Sequence, residues 1–285
     1  MIENYGRYIK ITVDGMKFTS NDIFIRAWVG FDDDSKPNET RVEFTNLSDK
    51  TVSKFKRGHK MTVDAGYKSD HGVLSVGVIY KVYDRWQGTD RHTTLYALEG
   101  DDFSKIKVDK SNATKKYEIK GGKKVLAKSQ PLSISFKKNT DGMTIIKKLI
   151  DVLGIKLEGK IDIKRNKVYK KGYSCTQLIL NDLEQVVRDC GSIMYHRRGK
   201  LVIRPINKGV DERFLISENT GMIGSPNITI ENGLKSVRIR CLLQHRITTC
   251  SIIDVRSRFV NGKYRAFKGQ HIMEKEKFYT EFYGV

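Results

Sequence analysis

The residues able to do chemistry are few and scattered. Six histidines (His59, His71, His92, His196, His245 and His271) fall at expected strand ends and turns. They read as exposed or hydrogen-bonded surface side chains, not as a metal set. Four cysteines (Cys175, Cys190, Cys241 and Cys250) include no CxxC and no cysteine–histidine pair at zinc spacing. That pattern fits free thiols in a reducing compartment. Asp32, Asp33 and Asp34 share a turn, FDDDSKPNET, where they would be solvated, and they lack the ordered spacing of a calcium loop. Asp101 and Asp102 follow a strand and are placed to cap the next element. No carboxylate pair is set out for glycoside hydrolysis. GxSxG, HExxH, GxxxxGK[ST] and a helix-opening GxGxxG are all missing. The expectation is a chain with no catalytic residues, no metal and no cofactor.

What stands out instead is positive charge. The 285 residues carry 53 Lys and Arg against 33 Asp and Glu, a formal +20, and residues 104–171 hold 20 basic side chains against 6 acidic. Such a field attracts polyanions by counterion release and steering, and it attracts acidic protein surfaces equally well. The candidate basic surface is Lys105, Lys107, Lys110, Lys115, Lys116, Lys120, Lys123, Lys124 and Lys128. A second cluster, KFKRGHK, poses a choice between a nucleic-acid grip and the end of a hairpin. Ser48 to Phe55 reads as one helical turn capped by Ser48 or Asp49. Lys56, Arg57 and Gly58 then turn into a strand over His59–Tyr67, so punctuation is favoured over contact. No recognition helix, zinc finger or RNP motif accompanies the charge. Tyr67, Tyr80, Tyr83, Trp86 and Tyr96 could interleave with basic residues as a stacking platform, but the same alternation serves a core or an interface.

The elements that must carry these residues are mostly strands. From Tyr8 to Glu99, six or more short segments alternate β-branched or aromatic residues with polar ones and are separated by Gly, Asn and Asp. A barrel or compact sandwich is expected. A lysine-rich connection with one strand follows. Thr140 or Asp141 then caps a helix through GMTIIKKLIDVLG, closed by Gly154. The short β-like segments IKLEG and IDIKR come next. Ser174 and Gln177 make a capping-box spacing before TQLILNDLEQVVRDCG, and SIMYHRRGKLVIRPI reads as a hairpin turning at Arg197 to Lys200. From Gly209 strand patterns return. The expected fold is mainly β with a smaller α/β part: two β-barrel domains, 1–103 and 209–285, flank an α/β domain at 131–208, and 104–130 connects them. No apolar run approaches the roughly 20 residues of a membrane span. The N-terminal MIENYGRYIKITV has no secretory h-region, so folding in a cytoplasm is expected.

The order of these motifs resembles phage baseplate hub proteins of the late-control protein D type, found in phage tails and phage-tail-like bacteriocins. The pieces are Asn46-Leu47, the basic turn Lys56 to Gly58, Ala65 to Tyr67, the Gly72 to Gly77 segment, and Gly100 to Asp102. The helix Gly142 to Leu153, the YHRRGKLVIRP hairpin and the Gly262 to His271 segment continue it. The resemblance implies a homotrimer whose two β-barrels per subunit form a pseudo-sixfold ring. That ring would join a hexameric tail tube, or its initiator protein, to a spike or tip. It implies a place in the virion tail baseplate or tip, with assembly in the bacterial host cytoplasm. Tape-measure protein and transiting DNA are further implied partners in the lumen. Because the chain stops at TEFYGV, piercing and lysis are expected of other proteins. The alternative from another class is a non-specific nucleic-acid-binding β protein; a cell-wall enzyme ranks last.

Overall fold

The computed structural model describes residues 5–100, 117–120, 123–126, 134–175, 179–231 and 233–285. The N-terminal part runs β1 (Arg7–Val13), β2 (Met16–Thr19), β3 (Ile25–Asp32), β4 (Glu39–Thr45), α1 (Asp49–Val52), β5 (Lys60–Tyr67), β6 (Asp70–Gln87) and β7 (Asp90–Glu99). A separate hairpin, β8 (Tyr117–Lys120) with β9 (Lys123–Leu126), follows. The middle part holds β10 (Ser135–Phe136), β11 (Thr140–Asp141), α2 (Gly142–Leu153), β12 (Val168–Tyr169), β13 (Tyr173–Ser174), α3 (Ile179–Asp189), β14 (Ser192–Arg197) and β15 (Lys200–Pro205). Last come β16 (Val210–Ser217), β17 (Asn227–Glu231), β18 (Leu234–Leu242), β19 (Ser251–Arg256), β20 (Asn261–Met273) and β21 (Phe278–Gly284).

Period-2 patterning explains the first core. In β3 every second residue (Ile25, Ala27, Val29, Phe31) is buried, and β1 and β5 do the same with Ile9, Ile11, Val13 and with Met61, Val63, Ala65. Apart from Phe31, these side chains pack with Val42, Phe44, Leu95 and Ala97, and three residues from far along the chain, Leu243, Met273 and Phe278, join them. Helices α2 and α3 carry the expected faces, Ile145, Ile146, Leu149, Ile150 and Leu153 against Ile179, Leu183, Val186 and Val187. Asp141 caps α2 by accepting from the Thr144 backbone N–H at 3.0 Å, and Gly154 closes it with φ of 64°. The Ser174–Gln177 box reaches residues outside those described. Of the expected β-like segments, IKLEG lies along β15, where Glu158 N–H donates to the Leu201 carbonyl at 2.9 Å, but neither it nor IDIKR forms a named strand. A third core gathers Ile216, Val237, Ile239, Ile253, Val255, Ala266 and Phe282 around Phe31.

The expected closed barrels are corrected by the sheet order. One thirteen-stranded sheet runs β17-β18-β21-β20-β3-β4-β7-β6-β5-β1-β2, and β16 and β19 branch from β20. The physical reason is β3. Closing the first barrel would require β3 to pair back toward β2, but its free edge is taken by β20, from Lys268↔Asp32 to Met273↔Ala27. The sheet is therefore open, with β17 and β2 as its ends.

Candidate assembly surfaces

The middle part is held to the sheet by the tip of the β14–β15 hairpin. Arg198 at φ 49° and Gly199 at φ 81° make the two-residue turn, a geometry that the left-handed region requires of such hairpins. A Cβ on Gly199 would sit 2.9 Å from both the Val76 carbonyl oxygen and Val76 Cβ, so the backbone lies directly on β6. Glu99, at the end of β7, accepts the Gly199 N–H at 2.9 Å and the Asn38 side-chain amide at 2.6 Å. Burial raises the Glu99 carboxyl above its ordinary range, and the Asn38 and Gly199 hydrogen bonds offset this only in part. Beside it, Arg197 pairs with Glu158 at 2.8 Å, and Arg198 donates to the His245 carbonyl at 3.1 Å.

Asp70, the first residue of β6, joins the same region to the C-terminal part. Arg246 reaches both of its carboxylate oxygens at 2.7 and 2.9 Å. Burial alone would raise the Asp70 carboxyl, but hydrogen bonds from Arg246 and Gln244 and the Arg246 charge outweigh it and hold it below 3.8. The stability this carboxylate supplies is thus full above the ordinary carboxylate range and is lost as pH falls through the depressed value. Asp70→Asn should melt about 2 kcal/mol below the parent at pH 7, with the gap closing as pH drops under 3.8. A gap that stays constant in melting curves from pH 7 to 3 would refute this role.

The face of the sheet turned away from the first and third cores carries ordered rows of charge and aromatic rings. Trp28, Arg41, Tyr96 and Lys81 are directly opposed across β3, β4, β7 and β6. The Arg41 guanidinium lies 4.1 Å from the Trp28 ring centre, and the Lys81 ammonium 5.0 Å from that of Tyr96. Trp28 Nε1 donates to Glu274 at 2.9 Å. Most cations here already have carboxylates. Arg26 and Arg41 meet Glu43, Arg238 and Arg240 meet Glu281, and Lys268 meets Glu231. A cavity of about 470 Å³ opens at one end of this face between Phe24, Arg26, His92 and the Glu274–Lys277 turn. Its Arg26 and His92 are both bound to Glu43, at 2.5 and 3.1 Å.

The residues singled out from sequence are distributed as follows. Lys105, Lys107, Lys110, Lys115, Lys116 and Lys128, with Asp101 and Asp102, lie outside the described residues. Lys120, Lys123 and Lys124 fall on the β8–β9 hairpin, Lys120 opposite Lys123; two strands stand where one was expected. KFKRGHK is the turn into β5, with Phe55 buried, Lys56 and Arg57 exposed, and Gly58 at φ 91° donating its N–H to the Ile79 carbonyl. Of the aromatic set, Tyr67 is core, Tyr80 and Tyr96 are half-buried, and Tyr83 and Trp86 are exposed on the β6–β7 hairpin. Two expectations are corrected. His92, His196 and His271 are buried rather than on the surface, because remote elements cover their strands. Asp33 is no longer solvated, since Arg265 from β20 pairs with it at 2.7 Å. The joints at Glu99 and Asp70 carried no local sequence signal.

Tail proteins of known structure share this fold. It superposes on the 43 kDa tail protein of prophage MuSo2 from Shewanella oneidensis with a TM-score of 0.68 and 8% identity, covering 99% of this chain and 98% of that one. A tail protein from Neisseria meningitidis MC58 gives 0.63 at 10% identity, over 98% and 96% of the two chains. An Escherichia coli component of the type VI secretion system, described as structurally similar to the bacteriophage T4 tail proteins gp27 and gp5, gives 0.59 at 8% identity, over 97% and 76%. Among curated protein sequences, none matches significantly. The chain belongs to the baseplate hub gp41 family, whose model matches residues 38–281.

Proposed function

We propose that this protein is the structural hub at the baseplate or tip of a phage tail or phage-tail-like particle, and that it catalyses no reaction. Three copies form a ring that joins the hexameric tail tube, or its initiator protein, to a spike or tip. Membership of the baseplate hub family over residues 38–281 is the observation that carries this. The fold supports it physically. The β20–β3 pairing joins the strands β1–β7 and β16–β21 in one continuous sheet. A trimer of such subunits offers six similar β units around an axis. The α/β part (131–208) is locked on through Glu99, and the lysine-rich connection (104–130) faces an acidic partner ring or a lumen that passes tape-measure protein and DNA. The ring assembles in the bacterial host cytoplasm before joining the virion tail.

In solution, native mass measurement should give roughly three times the 32.7 kDa of one chain at micromolar concentration. A single-chain mass at every concentration, also with the tube partner added, would count decisively against the ring. The alternative of a non-specific nucleic-acid-binding protein rests on charge alone. Five of the sheet-face cations that could support it are already paired with Glu43, Glu231 or Glu281.

A further inference from the structure

The two ends of the thirteen-stranded sheet match each other. At one end, among the described residues, β17 pairs only with β18, placing Ile228 opposite Val237 and Ile230 opposite Lys235. Val237 is buried in the third core, so Ile228 and Ile230 continue that core's face past its edge. They are nevertheless 64% and 75% exposed. At the other end, among the described residues, β2 pairs only with β1, placing Phe18 opposite Ile11 and Met16 opposite Val13. Met16 and Phe18 therefore lie on the face of the first core and are partly buried there. Each edge thus carries two apolar residues at spacing i, i+2 on its core side, exposed on β17 and partly buried on β2, where the Phe18 ring already meets those of Phe44 and Phe55. On the opposite side, the residue between each apolar pair is Thr229 or the exposed Lys17, and Glu231 lies one further alternate position along from Thr229.

We propose that β17 of one copy adds edge to edge onto β2 of a second copy, with Ile228 and Ile230 covering Met16 and Phe18. This rests on the ring assembly proposed above and names the surface that would build it. A strand edge with unpaired backbone groups and exposed isoleucines is an aggregation hazard unless another strand covers it. The occupant that fits is a second copy, because this chain itself carries the complement. The two strands are of similar length, 5 and 4 residues. Their apolar period coincides, and Lys17 would come opposite Thr229 with no like charge opposed to it. A contact between unlike surfaces of identical subunits is head-to-tail, and it closes into a ring when the rotation allows.

Two variants of the full chain test it, each read beside the parent. In Thr229→Cys/Lys17→Cys the new thiols oppose one another whether the strands run parallel or antiparallel, and the four native cysteines are buried. Mild oxidation should give a ladder of covalent multimers on a non-reducing gel. Ile228→Lys/Ile230→Lys alters only exposed positions; it should keep the parent's melting temperature and lose the multimeric mass. Multimeric parent with no ladder and an undiminished mass in the lysine variant would overturn the β17–β2 contact and leave the ring standing. A parent that is a single chain and does not cross-link would overturn both.

Discussion

Glu99→Ala should destabilise the protein by about 2–4 kcal/mol, because it strips the acceptor from a buried donor, the Asn38 amide, and from a part-buried one, the Gly199 N–H, at once. The Gly199 N–H and the Asn38 amide both end on this carboxylate. The Asn38 amide has its other contact, to the His196 carbonyl, at only 3.4 Å. Gly199 lies against Val76, and Asn38 and Glu99 are themselves buried. Loss should begin where the hairpin tip meets the sheet. Amide exchange at Arg197 to Lys200 should therefore quicken more than exchange in β1 or β5. Glu99→Gln keeps the shape and one acceptor oxygen, so it should cost less. A Glu99→Ala melt within about 0.5 kcal/mol of the parent, a difference typical of ordinary surface substitutions, would show that the joint contributes nothing. The pH trend is opposite to that of Asp70. Burial raises the Glu99 carboxyl, so the cost of its charge is present at neutral pH and is relieved as pH falls through that raised value.

Gly269→Val should be more damaging still and leave little soluble protein. Gly269 sits mid-strand in β20, opposite Phe31 on one side and Phe282 on the other. Those two aromatic side chains fill the space where its side chain would go. A Cβ would fall 2.5 Å from the Glu281 carbonyl oxygen and 2.8 Å from Phe282 Cβ, and it would collide with the tip of the Phe31 ring. Two of these contacts are with the backbone and the stem of a core residue, which cannot move aside without breaking the β20–β21 ladder. Overpacking of well-filled cores costs about 1–3 kcal/mol or more. Here it falls on the strand that joins the two β halves. Soluble expression with a parental melting curve would mean that the β3–β20–β21 packing is not as described.

Features within a few residues of each other were legible in the sequence. Asp141 and Gly154 bound α2 as their types require, Ser48 caps α1, and Gly58 makes the turn into β5. The hairpin turn between Arg197 and Lys200 was also visible, because each feature is decided by a residue type acting on its own backbone. Contacts between remote residues were not legible. Alternation shows that β3 has a buried face, but not that its edge will be taken by β20, whose Lys268 pairs with Asp32. That one pairing turned two expected barrels into an open sheet. Glu99 and Gly199 meet a hundred residues apart, and nothing in either segment marks the contact. The buried histidines escaped for the same reason: a polar residue on a strand looks solvated until another element covers it. Positive charge was conspicuous in composition. On the sheet face, however, the partners of Arg26, Arg41, Arg238 and Arg240 lie on neighbouring strands, so local charge counts overstated the free cations.

The most direct test of the hub assignment is an image reconstruction of the purified tail particle. Three copies of this chain should close a ring about the tail axis, where the tube meets the spike or tip. Density for this chain elsewhere along the tail, or its absence from purified particles, would contradict the assignment.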